Sequence, residues 1–140
     1  MKVKQLSLFL ENKPGALSRP VKLLARARLN ILTLSIADTQ QFGILRLIVR
    51  DWRKAKSVLE QAGCVVNLTD VVALEVADRP GGLAELLELI EREGVNIEYM
   101  YAFTFGRNGK AVMVFRFDDP DKALELLRLN NVNVLGSVDL

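Results

Sequence analysis

The 140-residue chain is 50% hydrophobic and 26% charged with a formal charge of only +2, an ordinary globular composition that argues against disorder. It has no histidine, so Ser-His-Asp and Cys-His catalysis, imidazole metal ligands and histidine pH switches are all excluded. The single Cys64 cannot form an internal disulfide, no apolar run approaches the ~20 residues of a membrane span, and the basic residues 1–4 do not lead into a signal-peptide core. A cytoplasmic binding or regulatory protein is the expectation, with no membrane partner.

In chain order, Leu6, Leu8 and Leu10 alternate with Ser7, Phe9 and Glu11, which predicts a half-buried strand. Pro14-Gly15 breaks it and opens a helix that buries Leu17, Val21 and Leu24 and leaves Arg19, Lys22 and Arg26 in water. Pro20 falls within that helix. If Gly15 or Ala16 is the cap, its missing N–H is one of the unpaired donors of the first turn. Strands follow over residues 31–37 and 43–50. Asp51 then caps a helix burying Ala55, Val58, Leu59 and Ala62, and Gly63 ends it.

The sequence then repeats. A shift of 66 places lays Asn12-Lys13-Pro14-Gly15-Ala16-Leu17 on Asp78-Arg79-Pro80-Gly81-Gly82-Leu83, and Leu29-Asn30-Ile31 on Val95-Asn96-Ile97. Further on the shift is 68, pairing Asp51 with Asp119 and Leu59 with Leu127, and the two extra residues are expected near the glycine-rich turn Gly106–Gly109. Two domains, 1–69 and 70–140, therefore each read strand-helix-strand-strand-helix-strand. The predicted fold class is α+β: two ferredoxin-like βαββαβ domains, each an antiparallel four-stranded sheet with two helices on one face. Residues 65–76 read as nearly continuous strand, with Asn67–Asp70 as a short joint.

The doubled Asn/Asp-x-Pro-Gly turn and the matching Asn-Ile pairs resemble the ACT-domain family. Phe42-Gly43-Ile44-Leu45-Arg46 and Asn96-Ile97-Glu98-Tyr99-Met100-Tyr101 are similar to its stand-alone tandem members. The resemblance implies a non-catalytic regulatory protein that binds a free amino acid beside the first turn, at a seam between ACT units. It also implies a possible amino-acid biosynthetic enzyme as partner and no cofactor. It marks Asn12, Asn30 and Asn96 as ligand-holding asparagines; Asp78 departs from that pattern, which puts the second site in doubt.

The residues support such a site independently. A turn entering a helix offers N–H groups and the positive dipole end to a carboxylate. Gly15 and Gly81 lack a Cβ, so a ligand can approach their backbone. The candidate ligand residues are Asn12, Lys13, Gly15, Ala16, Leu17, Asn30 and Ile31, with Asp78, Gly81, Gly82, Leu83, Asn96 and Ile97 in the second copy. Against this stands a plain structural use of each: Pro-Gly breaks strands, Asn12 and Asp78 satisfy turn amides, and Asn30 and Asn96 sit where a left-handed residue ends a helix.

Other features carry less. The aromatic strand around Tyr99–Phe105 suits packing, Cys64 a buried thiol, Trp52 an anchor, and Asp118, Asp119 and Asp121 a capped helix start with no metal. Gly106–Gly109 joins strand to strand, so it is no phosphate loop. A nucleic-acid platform would need aromatics on the middle strands of the basic half, and residues 31–37 and 44–49 have none. Residues 1–69 carry 12 Lys/Arg against 4 Asp/Glu (+8) and 70–140 carry 7 against 13 (−6), and the aromatic strand belongs to the acidic half. That charge split instead predicts a homodimer in which repeat 1 of one chain approaches repeat 2 of another.

Overall fold

Alternation and punctuation turn into backbone as the pattern requires. The computed structural model describes residues 1–140, apart from the side chain of Thr39. The chain folds as β1 (Val3–Glu11), α1 (Ser18–Arg26), β2 (Ile31–Thr39), β3 (Phe42–Val49), α2 (Trp52–Gln61), β4 (Val66–Ala77), α3 (Gly82–Arg92), β5 (Ile97–Arg107), β6 (Lys110–Phe117), α4 (Pro120–Leu129) and a short β7 (Val134–Leu135). It is an α+β protein of antiparallel strands and four helices, two βαββαβ units in series. One compact unit is Lys4–Thr69; the other joins Asp70–Leu140 to Met1–Val3.

In the first unit β3 lies between β1 and β2, pairing Leu8 with Leu45 and Ile36 with Leu45. Leu6, Leu8, Leu45 and Leu47 face Leu24 of α1 and Ala55 and Leu59 of α2, so both helices cover one face of the sheet. In the second unit the order is β5-β6-β4-β7. Its core sets Val72, Leu74, Phe115 and Phe117 against Leu86 and Ile90 of α3 and Leu127 of α4. The rings of Phe115 and Phe117 stack 5.6 Å apart. At the termini, Lys2 pairs with Asp121 at 2.8 Å, and Arg107 Nη2 donates to the Asp139 carbonyl at 2.6 Å.

The duplication is written in the backbone as well as in the residues. Left-handed positions recur in register: Gly15 with Gly81, Arg28 with Gly94, Gln40 with Asn108, and Gly63 with Asn131. Each pair is separated by the shift its stretch of sequence showed, and a register irregularity after Ile31 recurs after Ile97. The left-handed residues behind α1 and α3 are thus Arg28 and Gly94, two places before Asn30 and Asn96. Asp51 and Asp119 cap as expected, accepting from the N–H groups of Lys54 and Lys122 at 3.1 Å.

Several details differ from the sequence reading, among them Leu17, expected to be buried and 40% exposed. Asn67–Asp70 is no joint, because β4 runs unbroken through it. The two extra residues of repeat 2 do not sit in the hairpin turn but upstream of it, as a bulge in β5 between Ala102 and Gly106. The turn itself is Asn108-Gly109 with φ of 52° and 73°, the two-residue geometry that hairpins favour. Finally, α1 is capped at Leu17, so Pro20 is its third residue. Its absent N–H is still within the first turn, and its ring is buried, so the helix is not broken.

Candidate functional site

The end of β1, the first turn and the end of β2 enclose a cavity of about 290 Å³ in the first unit. Its apolar wall is Leu10, Leu17 and Ile36, with Leu17 and Ile36 respectively 40% and 54% exposed at its mouth. Glu11 and Asp38 bring carboxylates, and Asn12 and Lys13 bring donors. Gly43 completes the lining; it pairs with both Leu10 and Asp38 in the sheet. A Cβ added there meets the Ile36 side chain at 3.4 Å, which is ordinary packing. Both signs of charge beside a small apolar wall suit a zwitterion with a nonpolar side chain.

Each polar group has a definite local role. Asn12 Nδ2 donates to the Gln40 carbonyl at 3.0 Å, and its backbone N–H to the Gln41 carbonyl at 2.9 Å. The side-chain amide therefore ties the β2–β3 hairpin to the first turn, leaving Oδ1 as an acceptor. Lys13 Nζ lies 2.9 Å from Glu11 Oε2, an exposed pair that water screens strongly. The N-terminus of α1 has no side-chain cap and no acidic residue in its first turn, so its positive end is not offset locally.

Of the residues named from sequence, Asn12, Lys13 and Leu17 line this cavity. Gly15 and Ala16 belong to the same turn. Gly15 has φ +86° and open space where a Cβ would stand, so the turn's left-handed backbone, not a close approach, accounts for the glycine. Asn30 and Ile31 are not brought there. Asn30 lines a separate depression of about 270 Å³ with Arg28 and Arg50, and Ile31 packs against the core. The eight steps of β2 set these two ends about 26 Å apart. Leu10, Glu11, Ile36, Asp38 and Gly43 were not singled out as site residues. Strand alternation places Leu10, Ile36 and Asp38 on the helix face, and that is the signal that would have found them.

The second copy is built differently. Gly81 repeats the +86° turn, but a Cβ on the next residue, buried Gly82, would collide with the Ala77 carbonyl. Arg79 is held by Glu85 at 2.8 Å and by the Pro80 carbonyl at 3.2 Å. Leu83 packs on the core, as does Ile97. Asp78 uses its backbone N–H on the Gly109 carbonyl. Asn96 lies at the far end of β5, exchanging backbone and carboxylate bonds with Asp118.

Among the described residues no group of three or more His, Cys, Asp or Glu is arranged to hold a metal, and no helix is long and apolar enough to cross a membrane. Asp118 and Asp119 are occupied with backbone N–H groups. Cys64 is half-buried against the first core, and Trp52 lies under the Arg53 guanidinium at 4.5 Å.

Comparison with known proteins agrees with this architecture. The crystal structure of protein BT0572 from Bacteroides thetaiotaomicron is 43% identical with a TM-score of 0.93, over 99% of this chain and 95% of that one. The regulatory subunit of aspartate kinase from Thermus thermophilus, 16% identical over 90% and 91% of the two chains, shares the fold with a TM-score of 0.65. An acetolactate synthase small subunit from Buchnera aphidicola subsp. Baizongia pistaciae is 38% identical over 80 residues, 56% of this chain. The match spans half the length of that relative. A family model described as an ACT domain pair matches residues 1–140. Two βαββαβ units with register-matched turns and a whole-length family match lead to one conclusion: the chain belongs to the ACT domain pair family.

Proposed function

We propose that the chain is a non-catalytic regulatory protein of the cytoplasm that binds a free amino acid in the cavity of repeat 1 and needs no cofactor. The observation that carries this reading is the cavity at the first turn, where an apolar wall stands beside groups of both charges. The ammonium faces the carboxylates of Glu11 and Asp38, and the carboxylate faces Lys13 and the uncapped start of α1. The side chain rests on Leu10, Leu17 and Ile36. Asn12 braces the turn and offers its Oδ1. Asn30 and Ile31 of the same copy take no part, and the Asp78–Leu83 turn with Asn96 and Ile97 is the weaker or silent copy.

The regulatory role has support from the relative described as a synthase small subunit, which suggests an amino-acid biosynthetic enzyme as the partner. Nucleic acid is not a partner in this reading, because the middle strands of the basic repeat hold no aromatic over residues 31–37 and 44–49, and the aromatic-rich strand belongs to the acidic repeat. Calorimetric titration of dialysed protein with each of the twenty amino acids tests it. Heat is expected with a nonpolar amino acid, and Gly43→Val, which fills the cavity from a strand position, is expected to weaken it about tenfold or more with the fold intact. Silence with all twenty, or undiminished binding by folded Gly43→Val, refutes the site.

A further inference from the structure

The second depression of repeat 1 lies where α1 ends and α2 begins, at the opposite end of β2 from the cavity of the first turn. Arg28, Asn30, Arg50 and Asp51 supply its polar lining, and Leu29, Leu32 and Val49 its apolar lining, around about 270 Å³. The surroundings are strongly basic. Residues 26–32 and 49–54 hold five cations against the one acid Asp51, whereas their counterparts 92–98 and 117–122 hold two against five. Asp51 is turned to its own helix, accepting from the Lys54 N–H at 3.1 Å. Lys54 Nζ donates to the Ala27 carbonyl at 3.2 Å, and the Arg53 guanidinium lies over the Trp52 ring.

Repeat 2 carries its own anion at this place. Asp118 stands where repeat 1 has Arg50, and its Oδ1 accepts from the N–H groups of Asn96 at 3.0 Å and Asp119 at 2.9 Å. That carboxylate ties the start of β5 to the start of α4. Arg50 has no acceptor atom, so the matching N–H groups of Asn30 and Asp51 cannot be held in that way. We propose that in repeat 1 an external oxyanion takes the place of the Asp118 carboxylate, accepting from the Asn30 and Asp51 N–H groups and from the guanidinium groups of Arg28 and Arg50. A phosphate monoester is the class that fits. The excess of cations favours a doubly charged group over a single carboxylate, and arginine forks match phosphate oxygens. Half-buried Leu29 and Leu32 give the organic remainder an apolar surface. Arg28 also keeps a left-handed backbone at φ +60°, where its counterpart is Gly94, so the charge is retained at a position that favours glycine. The proposal stands whether or not an amino acid binds at the first turn.

Amide NMR of the full chain during titration with phenyl phosphate tests it, with inorganic phosphate and benzoate as comparison probes. Phenyl phosphate is expected to saturate with a Kd below about 1 mM, shifting the Asn30 and Asp51 amides and leaving those of Asn96 and Asp119 in place. Inorganic phosphate should act on the same amides more weakly, and benzoate more weakly still. Arg28→Gly gives the turn its repeat 2 residue and keeps the left-handed backbone, and it should weaken phenyl phosphate about tenfold. Arg50→Asp installs the carboxylate of repeat 2, and it should abolish binding and move the Asn30 and Asp51 amides without any ligand. Thermal unfolding checks that each variant is folded. No saturable shift at Asn30 and Asp51, an equal response at Asn96 and Asp119, benzoate binding as tightly as phenyl phosphate, or undiminished binding by either folded variant each overturns the proposal.

Discussion

The turns Asn12–Leu17 and Asp78–Leu83 share a left-handed glycine at the same φ of +86° and then diverge at the next residue. In repeat 2 that residue is Gly82, and the start of α3 lies so close to β4 that no Cβ fits against the Ala77 carbonyl. In repeat 1 it is Ala16, and the helix begins two residues later, at Ser18, although the bond from the Arg19 N–H to the Gly15 carbonyl matches that from Glu85 to Gly81. The space left between turn and strand is where Glu11 and Leu17 line the cavity. A second divergence lies across the sheet. Ile36 and Asp38 of β2 flank a single residue, Ala37, whereas their counterparts Ala102 and Gly106 flank the bulge Phe103-Thr104-Phe105. Duplication kept the backbone turns and changed what fills the gap between helix and strand.

Exchanging the two residues is the strongest way to break this comparison. Gly82→Ala is expected to destabilise the protein by about 1–3 kcal/mol, because backbone must move to admit the methyl. For a unit of this size that lowers the unfolding temperature by several degrees or more. Ala16→Gly should cost under about 1 kcal/mol, since a glycine is tolerated at a helix start. Thermal unfolding of both variants checks the asymmetry; equal losses would mean that packing at this residue is not what separates the repeats.

A smaller effect is expected at the hairpins. Asn12 donates its side-chain amide to Gln40, whereas repeat 2 has Asp78, which cannot donate when ionised, and a self-sufficient Asn-Gly turn. Asn12→Asp should lose about 1 kcal/mol in urea unfolding. Adding Gln40→Asn and Gln41→Gly, which gives repeat 1 the turn of repeat 2, should recover most of that. Failure to recover would show that Asn12 matters for another reason.

The smallest difference concerns acid. On α4, Arg128 bonds Glu125 at 2.7 Å and holds its carboxyl below the usual range. At the matching places on α2, Ser57 stands for Glu125 and Glu60 for Arg128, and Glu60 pairs instead with Lys56 at 2.6 Å. A lowered carboxyl favours folding above its unfolded-state value, and that contribution is lost as pH falls through the lowered one. The urea midpoint of wild type should therefore exceed that of Glu125→Gln slightly at neutral pH, and the gap should close in acid. A gap that persists below pH 3 would point to packing instead.

Much of this was legible because punctuation is local. Asp51 and Asp119 announce their helices by type and spacing, and Gly63 and Gly94 announce the stops. The bulge in β5 was not legible for a physical reason. Two extra residues restore the parity of a period-two pattern, so Phe103, Thr104 and Phe105 read as uninterrupted alternation and the insertion drifts to the nearest glycine turn. The cavity was half legible: its turn residues Asn12, Lys13 and Leu17 stand together in sequence. Asn30 looked like part of the same site because the resemblance names both. Chain order does not show that β2 carries Asn30 to the opposite end of the sheet, and the cavity's far wall comes from Ile36 and Asp38.

The assignment of Met1–Val3 to the second unit, together with a β4 that runs unbroken past Thr69, has a consequence for anyone dividing the gene. The chain crosses from one unit to the other within two strands, β1 and β4. A fragment ending at residue 69 severs one of these strands, and a fragment beginning at residue 70 loses Lys2, the partner of Asp121. The duplicated segments are units of ancestry, and the physical halves are offset from them by three residues. Neither sequence copy corresponds to a complete module that can be lifted out at its boundary.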